Sequence, residues 1–356
     1  MGEKIMENKN YKESGVDTDA ADTWVNWIAS ENSQKIKAGV KFEGKVVSGI
    51  GDYAAIFAPP KSKEWIATTC DGVGTKTLWY SEGLGNPEAM AQDLVAMNVN
   101  DLLCVGATPR LFLDYLAIGN KQLLQPTHLM GRFLKGLKIA CGQNGMFLVG
   151  GETAQMPDLY PGNHFDLAGF AVGWLKPKEQ LSINRVKPGD ELWGWPSSGP
   201  HSNGFSWLRK LFSEQTDREI IEKHFMKPTE IYTQRFLAAR KNLSGKDTLR
   251  AAFHITGSGF LNLVRAEPKG GKRKLGFDLN PEIESQLPHW ASLIKDRSGA
   301  SFKDLATSFN LGWGFILVLK KGTGATQIKQ LKKLGLTQLG KVRSGTGISI
   351  GGSSLE

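Results

Sequence analysis

The chain has 356 residues, with 44 lysines and arginines against 35 aspartates and glutamates, 42 glycines and 40% hydrophobic residues. This composition excludes a disordered or fibrous protein, and the length allows two domains. The longest purely aliphatic or aromatic run, residues 315–319, is too short for a membrane span. Because the polar N-terminus also lacks the apolar core of a signal peptide, we expect a cytoplasmic protein that binds neither membrane nor nucleic acid.

The formal charge of +9 comes mostly from dispersed basic residues, apart from short clusters at residues 269–274 and 320–333. These residues form no basic stripe interleaved with aromatic side chains, so a solvated surface is the expected interpretation. Three cysteines have no metal-ligand spacing, which fits a reducing compartment. Each is expected to be a small core residue: Cys70, Cys104 and Cys141.

The first elements in chain order are a frayed start at residues 1–10 and a helix from residue 24, capped by Asp22 or Thr23. A glycine-bearing segment at residues 44–51 then leads to residues 53–57, and predicts either a hairpin or a lid. Residues 66–69 follow as a buried strand that is rich in β-branched residues.

That strand runs into the sequence Asp71-Gly-Val-Gly-Thr-Lys76, in which a carboxylate, two glycines, a hydroxyl and a lysine follow one another. Gly72 and Gly74 let backbone N–H groups approach an anionic oxygen closely, while Thr75 adds a hydroxyl and Lys76 a positive charge. The combination suits Mg²⁺ and phosphate together, although it is neither a P-loop nor a Rossmann fingerprint, and an ordinary Asp-Gly turn is the alternative.

Residues 87–105 predict a helix with one apolar face. At about 100° per residue, the opposite face carries Asp93, Asn100 and Asp101. A solvated face usually carries lysine, glutamate and arginine, which are missing from this group, so a face turned toward a ligand is as plausible as a solvated one.

Further strands are predicted at residues 111–118, 146–149 and 167–174, with a helix at residues 127–141. The strand at 146–149 ends in Gly150-Gly151-Glu152-Thr153, which repeats the pattern of glycines, carboxylate and hydroxyl. These elements predict an α+β first domain over residues 1–174, followed by a linker at residues 176–178.

The second domain, residues 175–356, alternates strands and helices and is expected to be α/β. A strand at residues 191–195 precedes a loop of small and polar residues, and a helix at residues 205–212 follows directly, which is an anion-binding arrangement. Further predicted helices cover residues 229–240 and 325–334, strands cover 315–319 and 339–342, and residues 351–356 are expected to fray.

Six segments, taken in order, closely resemble the phosphoribosylformylglycinamidine cyclo-ligase (aminoimidazole ribonucleotide synthetase) family of de novo purine synthesis. They are DGVGTK at 71–76, DLVAMNVNDLL at 93–103, FLDYLAIG at 112–119, LVGGETAQMP at 148–157, SSGPHSNGFS at 197–206 and HITGSGF at 254–260. The resemblance extends over nearly the whole chain.

This resemblance implies a two-domain fold with a smaller N-terminal sheet domain that pairs in a homodimer and a larger C-terminal α/β domain. It implies the use of ATP and Mg²⁺ to convert formylglycinamidine ribonucleotide into aminoimidazole ribonucleotide, with release of ADP and phosphate. The formyl oxygen is phosphorylated, an amidine nitrogen attacks the carbon, and loss of phosphate closes the ring in a cleft shared across the dimer.

The resemblance also implies roles for residues of these segments. Asp71 and Asp101 are the expected metal ligands, and His201, Lys76 and Asp101 are the expected catalytic residues. ATP is expected to contact Gly72, Gly74, Thr75, Lys76, Asp93, Asn100, Glu152 and Thr153. The substrate is expected to contact Ser198, Gly199, His201, Ser202, Asn203 and Gly204.

The chain departs from the family pattern at several positions. Asp52-Tyr53 stands where the family usually has Gly-Phe, and Ser258 stands between two glycines where the family has a third. Further departures are Gln155, Asp158 and Trp313. None of them removes an expected metal ligand.

Two alternatives remain open from the sequence. Another ATP-using member of the same superfamily, such as a selenophosphate synthetase or a thiamine-monophosphate kinase, would share the acidic phosphate site. A basic, non-catalytic nucleotide-binding or nucleic-acid-binding protein would leave the aligned carboxylates unexplained, because carboxylates repel phosphate unless a metal intervenes.

Overall fold

The computed structural model describes residue 15 and residues 18–32, 43–243, 247–265 and 274–355. The predicted frayed start at residues 1–10 and most of the basic cluster at residues 269–274 lie outside the described residues. Within those ranges the chain forms two sheets, one from residues 45–175 and one from residues 191–354. No helix of the described ranges combines the length and the apolar character needed to cross a membrane.

The first sheet has six strands in the order β1-β2-β3-β6-β4-β5. Only β4 and β5 are parallel, and every other neighbouring pair is antiparallel. The strands are β1 (Lys45–Ser48), β2 (Ala55–Ala58), β3 (Trp65–Gly72), β4 (Thr108–Ile118), β5 (Phe147–Gln155) and β6 (Phe165–Leu175).

Four helices accompany this sheet: α1 (Thr18–Asn32), α2 (Lys76–Ser81), α3 (Pro87–Cys104) and α4 (Leu129–Gln143). Helix α3 begins with a side-chain cap, because Asn86 accepts a hydrogen bond from the backbone N–H of Glu88 and Pro87 occupies the first turn. It packs against β3, β4 and β6 on one side and against α4 on the other. Gly169 allows this close approach, since a Cβ there would lie 2.5 Å from Nδ2 of Asn98 on α3.

The second sheet has seven strands in the order β13-β12-β9-β11-β7-β10-β8, and only β9 and β12 are parallel. The strands are β7 (Glu191–Pro196), β8 (Leu249–His254), β9 (Leu275–Leu279), β10 (Trp313–Leu319), β11 (Thr337–Ser344), β12 (Ile348–Ile350) and β13 (Ser353–Ser354). The longer helices are α5 (Phe205–Leu211), α6 (Thr233–Asn242), α7 (His289–Ser298) and α8 (Ala325–Lys333). Shorter helical turns cover Lys121–Leu124, Pro177–Glu179, Ile183–Arg185, Gln215–Asp217, Arg218–Ile220, Ile221–Phe225, Gly259–Leu261, Asn262–Arg265, Glu282–Ser285 and Phe302–Ala306.

The predicted fold class is confirmed, but several boundaries differ. Helix α1 begins at Thr18, four residues before the expected cap, and α6 begins at Thr233 rather than at residue 229. The strand predicted at 146–149 continues as β5 through Gln155, so the two glycines and Glu152 belong to a strand and not to a turn. The C-terminal end is also ordered by contacts, because Leu355 is buried and its N–H donates to the backbone of Ile348.

Candidate active site

Two acidic side chains from different elements approach each other beside the first sheet. Asp71 stands near the end of β3 and Asp101 in the last turns of α3. Asn98, one turn before Asp101, fixes the end of the strand: its Oδ1 accepts the N–H of Asp71 at 3.0 Å and its Nδ2 donates to the carbonyl of Asp71 at 3.1 Å. The helix and the strand are therefore held together where the two carboxylates meet.

The two carboxylates repel each other. Burial raises the pKa of Asp71 to about 6, and the charge of Asp101 adds to that rise. Burial also raises the pKa of Asp101, while a hydrogen bond from His254 at 3.0 Å lowers it. No lysine or arginine of the described residues forms an ion pair with either carboxylate. A pair of carboxylates in this situation favours a bound cation.

A cavity of about 270 Å³ opens beside Asp101. It is bounded by the turn after β1, the end of β3 and the segments that follow β8, and its lining residues are Gly51, Asp52, Tyr53, Thr69, Cys70, Asp101, Thr256 and Asn262. Cys70, predicted as a core residue, is exposed here, whereas Cys104 and Cys141 are buried as expected. In the described ranges, no group of three or more histidine, cysteine, aspartate and glutamate side chains is arranged to hold a metal ion.

The glycine loop after Asp71 joins β3 to α2. A Cβ at Gly72 would lie 2.8 Å from the carbonyl oxygen of Leu167, and Gly74 has φ +71°, so both positions favour glycine. Gly74 and Thr75 are exposed, and the Thr75 hydroxyl lies 3.0 Å from that of Ser206 at the start of α5. The loop therefore lies against the first turn of α5.

Lys76 lies in the interior and not in a solvated phosphate site. Its side chain is fully buried, and Nζ lies 2.8 Å from a carboxylate oxygen of Asp93, which is equally buried. Nζ also donates to the carbonyl oxygens of His201 and Lys227 at 3.2 and 2.9 Å. All the hydrogen-bonding capacity of the ammonium is thus used inside the protein in this arrangement, and direct contact between Lys76 and a phosphate stays a prediction.

Asp93 is surrounded by donors as well as by Lys76. Its carboxylate accepts hydrogen bonds from the Tyr80 hydroxyl at 2.8 Å, from the Thr229 N–H at 2.7 Å and from the Ser202 hydroxyl at 3.2 Å. In this arrangement Asp93 joins α3 to the loop at residues 198–204 and to the segment at residues 227–232, and its contact with ATP stays a prediction.

Asn100 has a similar internal role. It is fully buried, and its side chain contacts the backbone of Glu230 and Tyr232 and the ring of His254. The side chain of Asn100 is thus occupied by contacts within the protein, and its contact with ATP stays a prediction. Of the three polar residues that share a face of α3, only Asp101 keeps part of its side chain, 16%, accessible.

The loop at residues 198–204 carries His201, whose carbonyl accepts a hydrogen bond from Lys76. The centre of its ring lies 6.4 Å from that of His254. The His201 side chain is fully buried, and its pKa lies well below the usual value because of burial and the nearby His254 and Lys76. Two buried nitrogens of this loop, Nδ1 of His201 and Nδ2 of Asn203, have no hydrogen-bond partner among the residues that the structure describes. The same loop contains the other residues that are expected to contact the substrate: Ser198, Gly199, Ser202 and Gly204.

Glu152 and Thr153 are not brought to Asp71 within one chain. The register pairs Asp71 with Gly169, Gly169 with Asp114, and Asp114 with Gly151. Three strand spacings of about 4.8 Å place the Gly151 position about 14 Å from Asp71. Glu152 and Thr153 therefore lie on the edge strand β5, three strands across the sheet from Asp71, and their contact with ATP stays a prediction.

Sequence reasoning assigned no role to three residues that shape this site. Asn98, His254 and Thr229 bond to Asp71, Asp101 and Asp93 respectively. Asn98 precedes Asp101 by three residues, a spacing that places two side chains on the same side of a helix and could have identified it. His254 stands in one of the family segments, whereas the position of Thr229 becomes apparent only when its distant segment packs on α3.

Two departures from the family pattern line the cavity, and a third, Ser258, stands in the segment that follows β8. Asp52 and Tyr53 line the cavity, and the Tyr53 hydroxyl donates to the carbonyl of His254 at 3.2 Å, which links the β1–β2 hairpin to β8. The pairing of β1 with β2 confirms the hairpin expectation. Ser258 has φ +77°, a conformation that favours glycine.

Comparisons with known proteins agree with this architecture. Residues 51–175 match the family described as AIR synthase related protein, N-terminal domain, and residues 187–352 match its C-terminal domain. A phosphoribosylformylglycinamidine cyclo-ligase of Myxococcus xanthus is 34% identical over 354 residues, covering 95% of this chain and 96% of its own length. A protein of the same name from Xylella fastidiosa is 36% identical, covering 93% of each chain.

Solved structures share the fold at low sequence identity. The thiamine monophosphate kinase of Aquifex aeolicus superposes with a TM-score of 0.60 at 17% identity, covering 93% of this chain and 97% of that one. A structure described as AaThiL complexed with AMPPCP and TMP gives 0.63 at 17% identity, covering 93% and 95%. The hydrogenase maturation protein HypE of E. coli gives 0.58 at 16% identity, covering 80% and 82%. On the strength of its two matched domains and of relatives that align along almost its entire length, the chain belongs to the AIR synthase related family, that of the phosphoribosylformylglycinamidine cyclo-ligases.

Proposed function

We propose that the protein is an ATP-dependent cyclo-ligase that converts formylglycinamidine ribonucleotide into aminoimidazole ribonucleotide in de novo purine biosynthesis, releasing ADP and phosphate. The observation that carries the proposal is the identity of 34–36% with proteins of that name over more than nine tenths of the chain. The thiamine monophosphate kinase and HypE structures, at 15–18% identity, share the fold alone and do not favour their own activities here.

Asp71 and Asp101 are the residues that would hold Mg²⁺. They fit this ion because Mg²⁺ is usually bound through one or two carboxylates, with phosphates and waters as the remaining ligands. Their mutual repulsion, which contributes to the raised pKa of Asp71, is the electrostatic condition that a divalent cation relieves. When bound, Mg²⁺ would neutralise charge on the transferred phosphoryl group.

The glycine loop supplies the groups for the triphosphate in this proposal. Gly72, Gly74 and Thr75 lie within four residues after Asp71, and the exposed residues Gly74 and Thr75 can offer their backbone N–H groups to phosphate oxygens. Lys76 takes a positioning role, since its ion pair with Asp93 holds the start of α2 against α3 and against the carbonyl of His201.

The loop at residues 198–204 is the proposed substrate loop. The unpartnered nitrogens of His201 and Asn203 support this role, because buried polar atoms are normally paired and a ligand could satisfy them. The low pKa of His201 keeps its imidazole neutral, so it would polarise the formyl group or its phosphorylated form by hydrogen bonding and not as a cation. The substrate oxygen is then phosphorylated, the amidine nitrogen attacks the carbon, and phosphate leaves as the ring closes.

We also propose a homodimer built on the first sheet, with domains at residues 1–174 and 175–356 in a cytoplasmic enzyme. On β6 every second residue is buried, and the opposite face presents Phe170, Val172 and Trp174, while Phe147 and Val149 of β5 are 73% and 52% exposed. A second copy packed on this face would bury that apolar surface. It would also be the route by which Glu152 and Thr153 reach an ATP site that they do not reach within one chain.

The dimer can be tested with a matched pair of variants. Phe170→Asp adds a charge on the outward face of β6, whereas Ile139→Asp adds one at a similarly exposed position on α4. We expect Phe170→Asp to shift sedimentation toward the monomer and Ile139→Asp to leave it unchanged. Equal behaviour of the two variants would contradict an interface on the sheet.

The reaction is tested by following ADP release and aminoimidazole formation together, with purified protein, ATP, Mg²⁺ and formylglycinamidine ribonucleotide. Matched yields that both depend on the ribonucleotide are expected, and Asp71→Asn and Asp101→Asn should abolish them while ADP release without the ribonucleotide stays absent. ATP binding without turnover would redirect the assignment to another substrate within the family. Full Mg²⁺-dependent activity in both variants would refute the proposed metal ligands.

A further inference from the structure

A chain of hydrogen bonds leads from the backbone of the second half of the protein to Asp101. It begins at Asn100, whose Oδ1 accepts the N–H of Tyr232 at 3.1 Å and whose Nδ2 donates to the carbonyl of Glu230 at 2.9 Å. These two backbone contacts fix the orientation of the amide. If the amide were flipped, its NH₂ group would face an N–H and its oxygen would face a carbonyl oxygen.

The orientation of Asn100 determines the protonation of His254. Nδ2 of Asn100 lies 3.3 Å from Nε2 of His254, and an amide nitrogen can only donate. Nε2 must therefore accept, which places the single imidazole proton on Nδ1. That nitrogen lies 3.0 Å from Oδ1 of Asp101 and donates to it.

The contact between His254 and Asp101 is thus a hydrogen bond from Nδ1 of a fully buried ring. Its position is fixed further by β8, which carries His254 and pairs with β10 at Phe315.

We propose that His254 is a positioning residue for cation binding: held in its Nδ1–H form by Asn100, it occupies one oxygen of Asp101 and leaves the other for a divalent cation in the cavity. The inference rests on the proposed metal role of Asp101. Residues that hydrogen-bond to a metal ligand orient it, and their loss typically weakens metal affinity about 10–100-fold. Because Asn100 is bound to the segment at residues 230–232, the geometry of the cation site depends on the packing of that segment on α3.

The test compares two amide substitutions of His254. The NH₂ group of asparagine can occupy the position of Nδ1 and donate to Asp101, whereas that of glutamine extends to the position of Nε2 and faces Asn100. With Mn²⁺ as the probe and free Mn²⁺ measured by electron paramagnetic resonance, we expect His254→Asn to stay within about threefold of the unsubstituted protein. His254→Gln should lose about 10–100-fold.

The variant Asp101→Asn distinguishes the positioning role of His254 from the metal role of Asp101. If it abolishes Mn²⁺ binding while His254→Gln binds as tightly as His254→Asn, the positioning role is refuted and the metal role of Asp101 stands. If Asp101→Asn binds Mn²⁺ normally, both are refuted. Thermal unfolding of each variant verifies that a loss of binding is not a loss of fold.

A second readout does not depend on metal or activity. Nitrogen-15 spectra of histidine-labelled protein at neutral pH report which ring nitrogen carries the proton, and the signals of His254 are those that disappear in His254→Asn among six histidines. We expect a protonated Nδ1 and an unprotonated Nε2. A proton on Nε2, alone or together with one on Nδ1, would overturn the inference even if His254→Gln failed to fold.

Discussion

Replacement of Lys76 by methionine separates the two roles that this residue could have. In the structure the ammonium is fully buried, paired with Asp93 at 2.8 Å and bonded to the carbonyls of His201 and Lys227. Methionine fills nearly the same volume, so little cavity is created and the loss is electrostatic. The two carbonyls lose their donor, and Asp93 keeps its charge without a countercharge.

The expected magnitude follows from these contacts. Removing one partner of a buried ion pair costs about 3–5 kcal/mol, because the other charge stays buried. Asp93 retains the donors of Tyr80, Ser202 and Thr229, which continue to stabilise its charge. The lower end of that range, about 3 kcal/mol, is therefore expected for Lys76→Met.

Urea denaturation followed by tryptophan fluorescence measures this loss, since the chain has 10 tryptophans. The double variant Lys76→Met/Asp93→Asn is the control. It removes the unpaired charge and should be more stable than the single variant by about 1 kcal/mol or more. A loss below about 1 kcal/mol in Lys76→Met, together with much weaker ATP binding, would refute the buried role and restore Lys76 as a phosphate ligand.

Three further outcomes are expected. Gly314→Ala should destabilise the protein by about 1–3 kcal/mol in the same denaturation assay, because the new methyl would collide with the Tyr232 hydroxyl and the His201 ring. Because the pKa of folded Asp71 is raised to about 6, the folded state takes up this proton more readily than the unfolded state. The contribution of Asp71 to metal-free stability therefore falls as pH rises toward 6. The thermal stabilisation by Mg²⁺ should be smaller near pH 5 than near pH 7.5, because the protonated carboxyl binds the cation less well. A variant Asp71→Asn that kept this pH dependence would contradict the role of Asp71 as a metal ligand. Tyr53→Phe should cost about 0.5–1.5 kcal/mol, since it removes the bond to the His254 carbonyl, and unchanged unfolding would show that this bond contributes nothing.

The sequence predicted the elements whose patterns are local. Strand β3, helix α3 and strand β10 lie where periodicity and β-branched residues place them. The ends of several helices and strands were predicted less accurately. Strand β5 runs through two glycines because its one neighbouring strand, β4, continues to pair with it there, Leu113 with Gly150 and Asp114 with Gly151. Pairing of this kind with a distant strand overrides the local tendency of glycine to end a strand.

For the site residues, too, the sequence indicated which side chains are available but not which of them tertiary packing covers. The resemblance to the family implied Asp71 and Asp101 as metal ligands, and the structure brings these two side chains within electrostatic reach. The sequence also proposed Asp93 and Asn100 for the ligand, because a helical wheel records which residues share a face and not what covers that face.

What the sequence by itself determined is therefore the family, the fold class and the types of side chain available for phosphate and metal. Only the tertiary structure decided that residues 227–232 pack over α3 and enclose Asp93 and Asn100, leaving Asp101 partly accessible at the cavity. The physical reason is that burial of a polar side chain depends on whether distant backbone groups satisfy its hydrogen bonds. The N–H groups of Thr229 and Tyr232 do so here from more than a hundred residues away along the chain.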